Sequence, residues 1–186
     1  KDSLSMQSRW QIDGETHATS SPESMVVSAF ARVADMRAQT TPVLDTAVES
    51  DIWLIGLGAG KKRMGGSILA QVQGAFGGEC PDLDDPRLLA GLAGLIIKAR
   101  EQGLVLAYHD RSDGGAFAAL CEMAFASRMG LDIRLDGWGD GRSGDVFRTL
   151  FNEELGAIVQ VPVTERAAFA DLVAQQLEGL SAEERR

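Results

Sequence analysis

The run IWLIGL at 52–57 constrains this chain most. Six apolar residues without a polar break fit a strand covered on both faces. The run empties into a glycine-rich loop at 56–66, and helical spacing follows. The same order returns further on. A short apolar run ends at Tyr108, HDRSDGG occupies 109–115, and a helical apolar pattern begins. Strands that pass through polar glycine turns into helices build layered domains, sheet against helix.

The remaining elements follow from spacing and punctuation. Residues 86–102 predict a long helix with Leu88, Leu89, Leu92, Leu95, Ile96 and Ala99 on one face. Asp85 is its expected cap, Pro86 its first-turn proline and Gly103 its stop. Helical spacing also predicts helices at 67–76, 114–128, 144–151 and 164–178, the last capped by Thr164. Strands are predicted at 25–33, 52–57, 104–108, 131–135 and 156–161. Residues 1–24, polar around Trp10, read as loop, and 36–50 as a linker through TTP at 40–42. The expected fold is an α+β or α/β sandwich, a mixed sheet of about four strands with helices packed on it.

Composition narrows the function classes. The 186 residues are 45% hydrophobic and 24% charged, with a net charge of −9, so a general nucleic-acid surface is excluded. No apolar run approaches the roughly 20 residues of a membrane span. The start, KDSLSM, shows no apolar export signal, and Cys80 and Cys121 fit reduced thiols of a cytoplasmic protein. The polar start and the polar end, SAEERR, read as the ends of a piece cut from something larger.

Three segments could carry chemistry. HDRSDGG lies where ligands of α/β sheets gather, after a strand and ahead of a helix. Helix-start N–H groups suit phosphate, and Gly114 and Gly115 allow close approach. Asp110 and Asp113 are hard oxygen donors suited to Mg²⁺, and Ser112 offers a hydroxyl. The plainer reading is a cap at Ser112 or Asp113 and a glycine turn. It leaves His109, Asp110 and Arg111 unexplained. The second segment, GLGAGKKRMGGS at 56–67, has neither the Walker nor the dinucleotide spacing. As an anion loop it would use Lys61, Gly65, Gly66 and Ser67; as a surface loop it would only solvate its cations. The third, FNEELG at 151–156, reads more readily as a turn than as the edge of a site. His17 reads as a solvated loop residue. Cys121 sits mid-helix without a basic neighbour, so it is no candidate nucleophile.

With these residues in view, the chain resembles phosphoribosylformylglycinamidine synthase in its large single-chain form. KDSLSM at 1–6, SPESMVVSAFARVADMR at 21–37, MGGSILAQV at 64–72, AYHDRSDGGAFAALCEMAFA at 107–126 and LFNEELGAIVQV at 150–161 carry the likeness. That family belongs to the aminoimidazole ribonucleotide synthetase-like superfamily. It carries two tandem synthetase halves and a glutaminase domain. The wording of 109–112 resembles the second half. The resemblance implies that 1–42 is the tail of that half's first subdomain with a linker, and 43–186 its C-terminal α/β subdomain.

It also implies a function. The family is a glutamine-dependent ligase of purine biosynthesis, forming a C–N bond. It turns formylglycinamide ribonucleotide, ATP and glutamine into formylglycinamidine ribonucleotide, ADP, phosphate and glutamate. By resemblance Asp110 is a Mg²⁺ ligand and Ser112 contacts ATP or ADP, with Asp113, Gly114 and Gly115 beside them. Further metal ligands and the glutaminase cysteine belong to the missing synthetase and glutaminase domains, which are the implied partners. No catalytic residue is assigned within this chain, and the piece alone is expected to be inactive. In the large form this half's nucleotide site is held to be structural. Two rivals remain: another ATP-dependent member of the superfamily, and a packing module without catalysis.

Overall fold

In a computed structural model of the chain, the described residues are 7–20, 27–33, 35–75, 77–135 and 143–177. The chain divides into two compact units, Lys1–Met36 and Arg37–Arg186.

The first unit holds an antiparallel hairpin of β1 (Gln7–Ile12) and β2 (Glu15–Ser20). This corrects the loop expected over 1–24, of which 1–6 and 21–24 lie outside the described residues. Asp13 and Gly14 both take positive φ, +50° and +84°. That is the geometry of the two-residue turn which Asp-Gly favours, because its twist matches that of the strands. The register sets Trp10 opposite His17, and their rings stack at 5.9 Å. His17 therefore has an aromatic partner and is not merely solvated. The strand expected at 25–33 is absent from 27–33, and 25 and 26 lie outside the described residues. Val27, Phe30 and Val33 are exposed there. Apolar β-formers make a strand only when another strand or a core receives them.

The second unit is layered. β3 (Ser50–Gly56), β4 (Ala107–Asp110) and β5 (Gly156–Pro162) form one sheet in the order β3-β5-β4. Both pairings are antiparallel. The layered class stands as expected, but this sheet has three strands and no parallel pair. Residues 131–135, expected as a strand, are irregular. The Tyr108 N–H is instead given to Thr41 O at 3.0 Å, so the segment called a linker covers β4 there.

Helices close both faces. α1 (Ile68–Val72) follows β3, α2 (Pro86–Glu101) precedes β4, and α3 (Gly115–Ser127) follows it. α4 (Ser143–Phe151) leads into β5, and α5 (Arg166–Gln176) follows a 3₁₀ turn at Val163–Glu165. Trp53, Ile55, Val159 and Val161 pack with Leu92 and Leu95 of α2 and with Phe169 and Val173 of α5. Ile158 and Ala107 pack on the opposite face with Ala119, Leu120 and Met123 of α3. Every residue of β5 is buried, which is why its apolar run lacks alternation.

Local chemistry explains the boundaries. Asp85 caps α2 by accepting the Arg87 N–H at 2.9 Å, and Pro86 opens it. Gly103 ends it, with Leu104 N–H donating to Ala99 O. α1 is shorter than the 67–76 expected, because the chain turns left-handed at Gly74; residue 76 lies outside the described set. Thr164 does not cap α5: its hydroxyl meets Glu165, and the helix has no side-chain cap. Residue 178, the expected end of that helix, is likewise outside the described residues. Linker residues are pinned down by Gln160, buried in mid-β5. Its amide accepts from Asp45 N–H and donates to Asp45 O and Ser50 Oγ at 2.7–2.8 Å.

The Phe169 ring is fully buried and meets Trp53 edge-on at 5.2 Å. Phe169→Ala should cost about 3–5 kcal/mol, since the cavity opens between sheet and helix. Urea unfolding followed by tryptophan fluorescence reads this, and a cost below about 1 kcal/mol would contradict the core as described.

Candidate functional site

The three polar segments singled out in the sequence converge at one end of the sheet. β3 delivers the loop of 57–67, β4 delivers 111–114, and α4 delivers 152–155 into β5. Segment 152–155 lies between the other two and is bonded to both.

Glu154 faces the first loop. Its carboxylate is buried and accepts three bonds from Arg63: Nε at 2.6 Å, a terminal nitrogen at 2.7 Å and the backbone N–H at 3.0 Å. Arg63 is buried too, and reaches on to Asp82 O and Asp84. The hydrogen bond to Glu154 raises the Arg63 pKa further above its ordinary value, outweighing desolvation. The loop's other cations also have carboxylate partners, Lys61 with Asp84 at 3.1 Å and Lys62 with Asp145 at 3.0 Å. A cleft of about 440 Å³ beside them is lined by Lys61, Lys62, Arg63, Gly65, Glu79 and Arg148, among others.

The glycines and serine of this loop sit as follows. Gly65 N–H donates to Glu79 O at 2.8 Å, and Gly66 turns left-handed. Ser67 is fully buried; its hydroxyl donates to Met64 O and accepts from Ala70 N–H, so it caps α1.

Glu153 faces both loops. Its Oε1 accepts the Ile68 N–H, the first of α1, and the Gly114 N–H, just ahead of α3, each at 2.8 Å. Gly115 N–H is taken by Ser112 O at 2.9 Å, which closes the turn. Gly115 has φ +69°, and a Cβ there would lie 2.6 Å from Asn152 O. A side chain at 115 would push the α3 start off the α4–β5 turn. Asn152 closes α4 by donating to Arg148 O and Thr149 O.

The rest of HDRSDGG divides into anchored and open groups. Arg111 is buried, and its guanidinium donates to the carbonyls of Glu154 and Leu155. His109 sits against α3, with Nε2 2.8 Å from Glu122 Oε2 and Nδ1 2.7 Å from Asp110 O. The Asp110 carboxylate is 67% exposed, 3.8 Å from His109 Nδ1. Ser112 and Asp113 are exposed, and neither side chain has a bonding partner among the described residues. Burial, with the Asp110 charge behind it, raises the Tyr108 phenol above its ordinary pKa.

The three segments singled out in the sequence thus meet in the fold, and the bonds that hold them together were not foreseen. Glu153, Glu154 and Arg63 were visible only as charges in a turn and a loop. The signal was the pair of adjacent carboxylates between a helix and a largely apolar strand, where exposure is hard to maintain. Among the described residues no group of three or more His, Cys, Asp or Glu side chains could hold a metal ion, and no helix is long and apolar enough to cross a membrane. Asp110, with Asp113 near it in the chain, offers a partial oxygen set, which suits Mg²⁺ that keeps water and phosphate oxygens in its shell.

Fold and site together define a layered α/β domain with a polar corner at one end of its sheet. The chain belongs to the family described as AIR synthase related protein, C-terminal domain, which matches residues 50–181. Solved structures share the fold. One is Thermotoga maritima PurL complexed with ATP, 15% identical, TM-score 0.52, over 76% of this chain and 22% of that one. Another is PurLQS from Thermotoga maritima, 13% identical, TM-score 0.55, over 87% of this chain and 23% of that one. The chain thus spans less than a quarter of either solved relative.

Two stability effects follow. Glu154→Ala, which removes the buried partner of Arg63 and leaves it only the half-exposed Asp84, should destabilise more than the double replacement Arg63→Met/Glu154→Leu, because a buried charge stripped of its buried partner is the costly state. Equal losses in thermal unfolding would contradict the pairing. The hydrogen bond from Lys61, with the Arg63 charge behind it, holds the Asp84 pKa below its ordinary value. Its stabilisation is present above the unfolded-state pKa and lost as pH falls through the lowered one. Asp84→Asn should therefore be less stable than the parent at pH 7, and the difference should begin to shrink near about pH 4 and vanish only once the pH lies below the lowered Asp84 pKa.

Proposed function

We propose that this chain is the C-terminal subdomain of the second synthetase half of a large phosphoribosylformylglycinamidine synthase, and that its 109–115 corner forms part of a Mg²⁺–nucleotide site. One observation carries the site reading: Asp110 and Ser112 stand exposed at the end of β4, while Arg111 between them is buried and bonded. Such alternation presents two polar groups on a fixed backbone. Membership of the family supports the class of enzyme.

In this reading Asp110 supplies one oxygen to Mg²⁺ and Ser112 a hydroxyl to ATP or ADP. When bound, the ion would neutralise phosphate charge that a carboxylate alone would repel. Arg111 and His109 hold the strand end in place. The parent reaction transfers a phosphoryl group from ATP to the amide oxygen of formylglycinamide ribonucleotide. Ammonia released from glutamine then displaces phosphate at that carbon. Missing synthetase and glutaminase domains supply the remaining ligands and the ammonia, and the enzyme works in the cytoplasm.

A second reading, a packing module, is favoured by the N–H groups of Gly114 and Gly115, both already taken within the domain. Titration of Mg²⁺–ADP into the intact parent decides between them. Asp110→Asn should weaken binding about tenfold, and unchanged affinity would leave only packing. The isolated chain should show no ammonia-dependent ligase turnover.

A further inference from the structure

We propose that Glu153 is a positioning residue that couples the two glycine turns, so that the 111–114 turn presents Asp110 and Ser112 correctly only while the α1 turn is in place. A single oxygen, Oε1, receives the first N–H of α1 and the Gly114 N–H at 2.8 Å each. These donors are 46 residues apart (114 − 68), and they come from loops after different strands. Each bond is charge-assisted, the stronger kind. Movement of either turn by more than a few tenths of an ångström lengthens one bond unless the other turn follows.

The neighbours of Glu153 leave it little freedom. Asn152 is fixed to the end of α4, and Glu154 is fixed to Arg63. The carboxylate therefore rides on a backbone anchored on both sides, and its two acceptances transmit position instead of merely absorbing charge. Ser112 lies inside the same turn, whose closing bond is Gly115 N–H to Ser112 O. Asp110 lies two residues before Ser112, with the buried Arg111 between them. The sequence reading gave these N–H groups to a ligand. The structure gives the Gly114 N–H to a resident carboxylate, whose task is then alignment.

This proposal rests on the nucleotide reading above, and its test separates the two failures. The intact parent is titrated with Mg²⁺–ADP as wild type, Glu153→Ala and Glu153→Gln. Glutamine keeps an acceptor oxygen, so Glu153→Gln should bind within about twofold of wild type and Glu153→Ala about fivefold or more weakly, with thermal midpoints alike in the two variants. Hydrogen exchange should show the coupling itself. Nucleotide should slow exchange at 67–72 in wild type and Glu153→Gln, and not in Glu153→Ala. Equal affinities for all three proteins, or nucleotide protection of 67–72 that survives in Glu153→Ala, would overturn the coupling alone. A wild type that binds no nucleotide would overturn both readings.

Discussion

The buried ion pair of Arg63 and Glu154 is the interaction on which this end of the domain depends. The two residues are 91 apart in sequence, and three hydrogen bonds join them. Taking both charges out of water is costly, and the pair survives only because the fork of the guanidinium and a backbone N–H satisfy the carboxylate together. The glycine at 58 belongs to this arrangement, since a Cβ there would lie 2.9 Å from the Glu154 carboxyl. What looked like a phosphate loop is in large part the housing of a carboxylate.

Once Glu154 is fixed, its neighbours fall into order. Glu153 reaches the starts of α1 and α3, Asn152 closes α4, and the carbonyls of Glu154 and Leu155 receive Arg111. β5 begins at the next residue and runs through the centre of the sheet. The corner is therefore built outward from the central strand. Its precision comes from the same strand that carries both cores, with Val159 and Val161 on one side and Ile158 on the other. A site grafted onto such a strand inherits its rigidity.

Much of this was legible beforehand. IWLIGL announced itself as a buried strand and GAIVQV as a strand, and Asp85, Pro86 and Gly103 framed a helix that has those ends. The errors have physical causes. An apolar run reports burial on both faces, and antiparallel strands sheathed by helices look the same as parallel ones, so strand direction was not legible. MVVSAFARV has the composition of a strand, but pairing is a long-range fact that composition does not contain. The Asp13–Gly14 hairpin is announced by its turn signal alone, because its strands are polar and lack an apolar alternation. In the site, Asp110 and Ser112 stood out by their density of charge near glycine. Glu153 did not, since its meaning lies in two N–H groups that only the fold brings together.

The distribution of committed and open groups bears on how an anion could be met here. A helix start normally recognises phosphate through its own N–H groups. Here the Gly114 and Gly115 N–H groups already serve Glu153 and the Ser112 carbonyl, and the cations of the neighbouring loop each face a carboxylate. Open to solvent are the Asp110 and Asp113 carboxylates and the Ser112 hydroxyl. Two negative groups and a hydroxyl do not attract phosphate directly. A divalent cation between carboxylate and phosphate changes the sign of that interaction. On the proposed reading a Mg²⁺ ion held by Asp110 would supply, at this turn, the positive charge that its open groups do not offer to a phosphate, while Lys61, Lys62 and Arg63 stay committed to carboxylates.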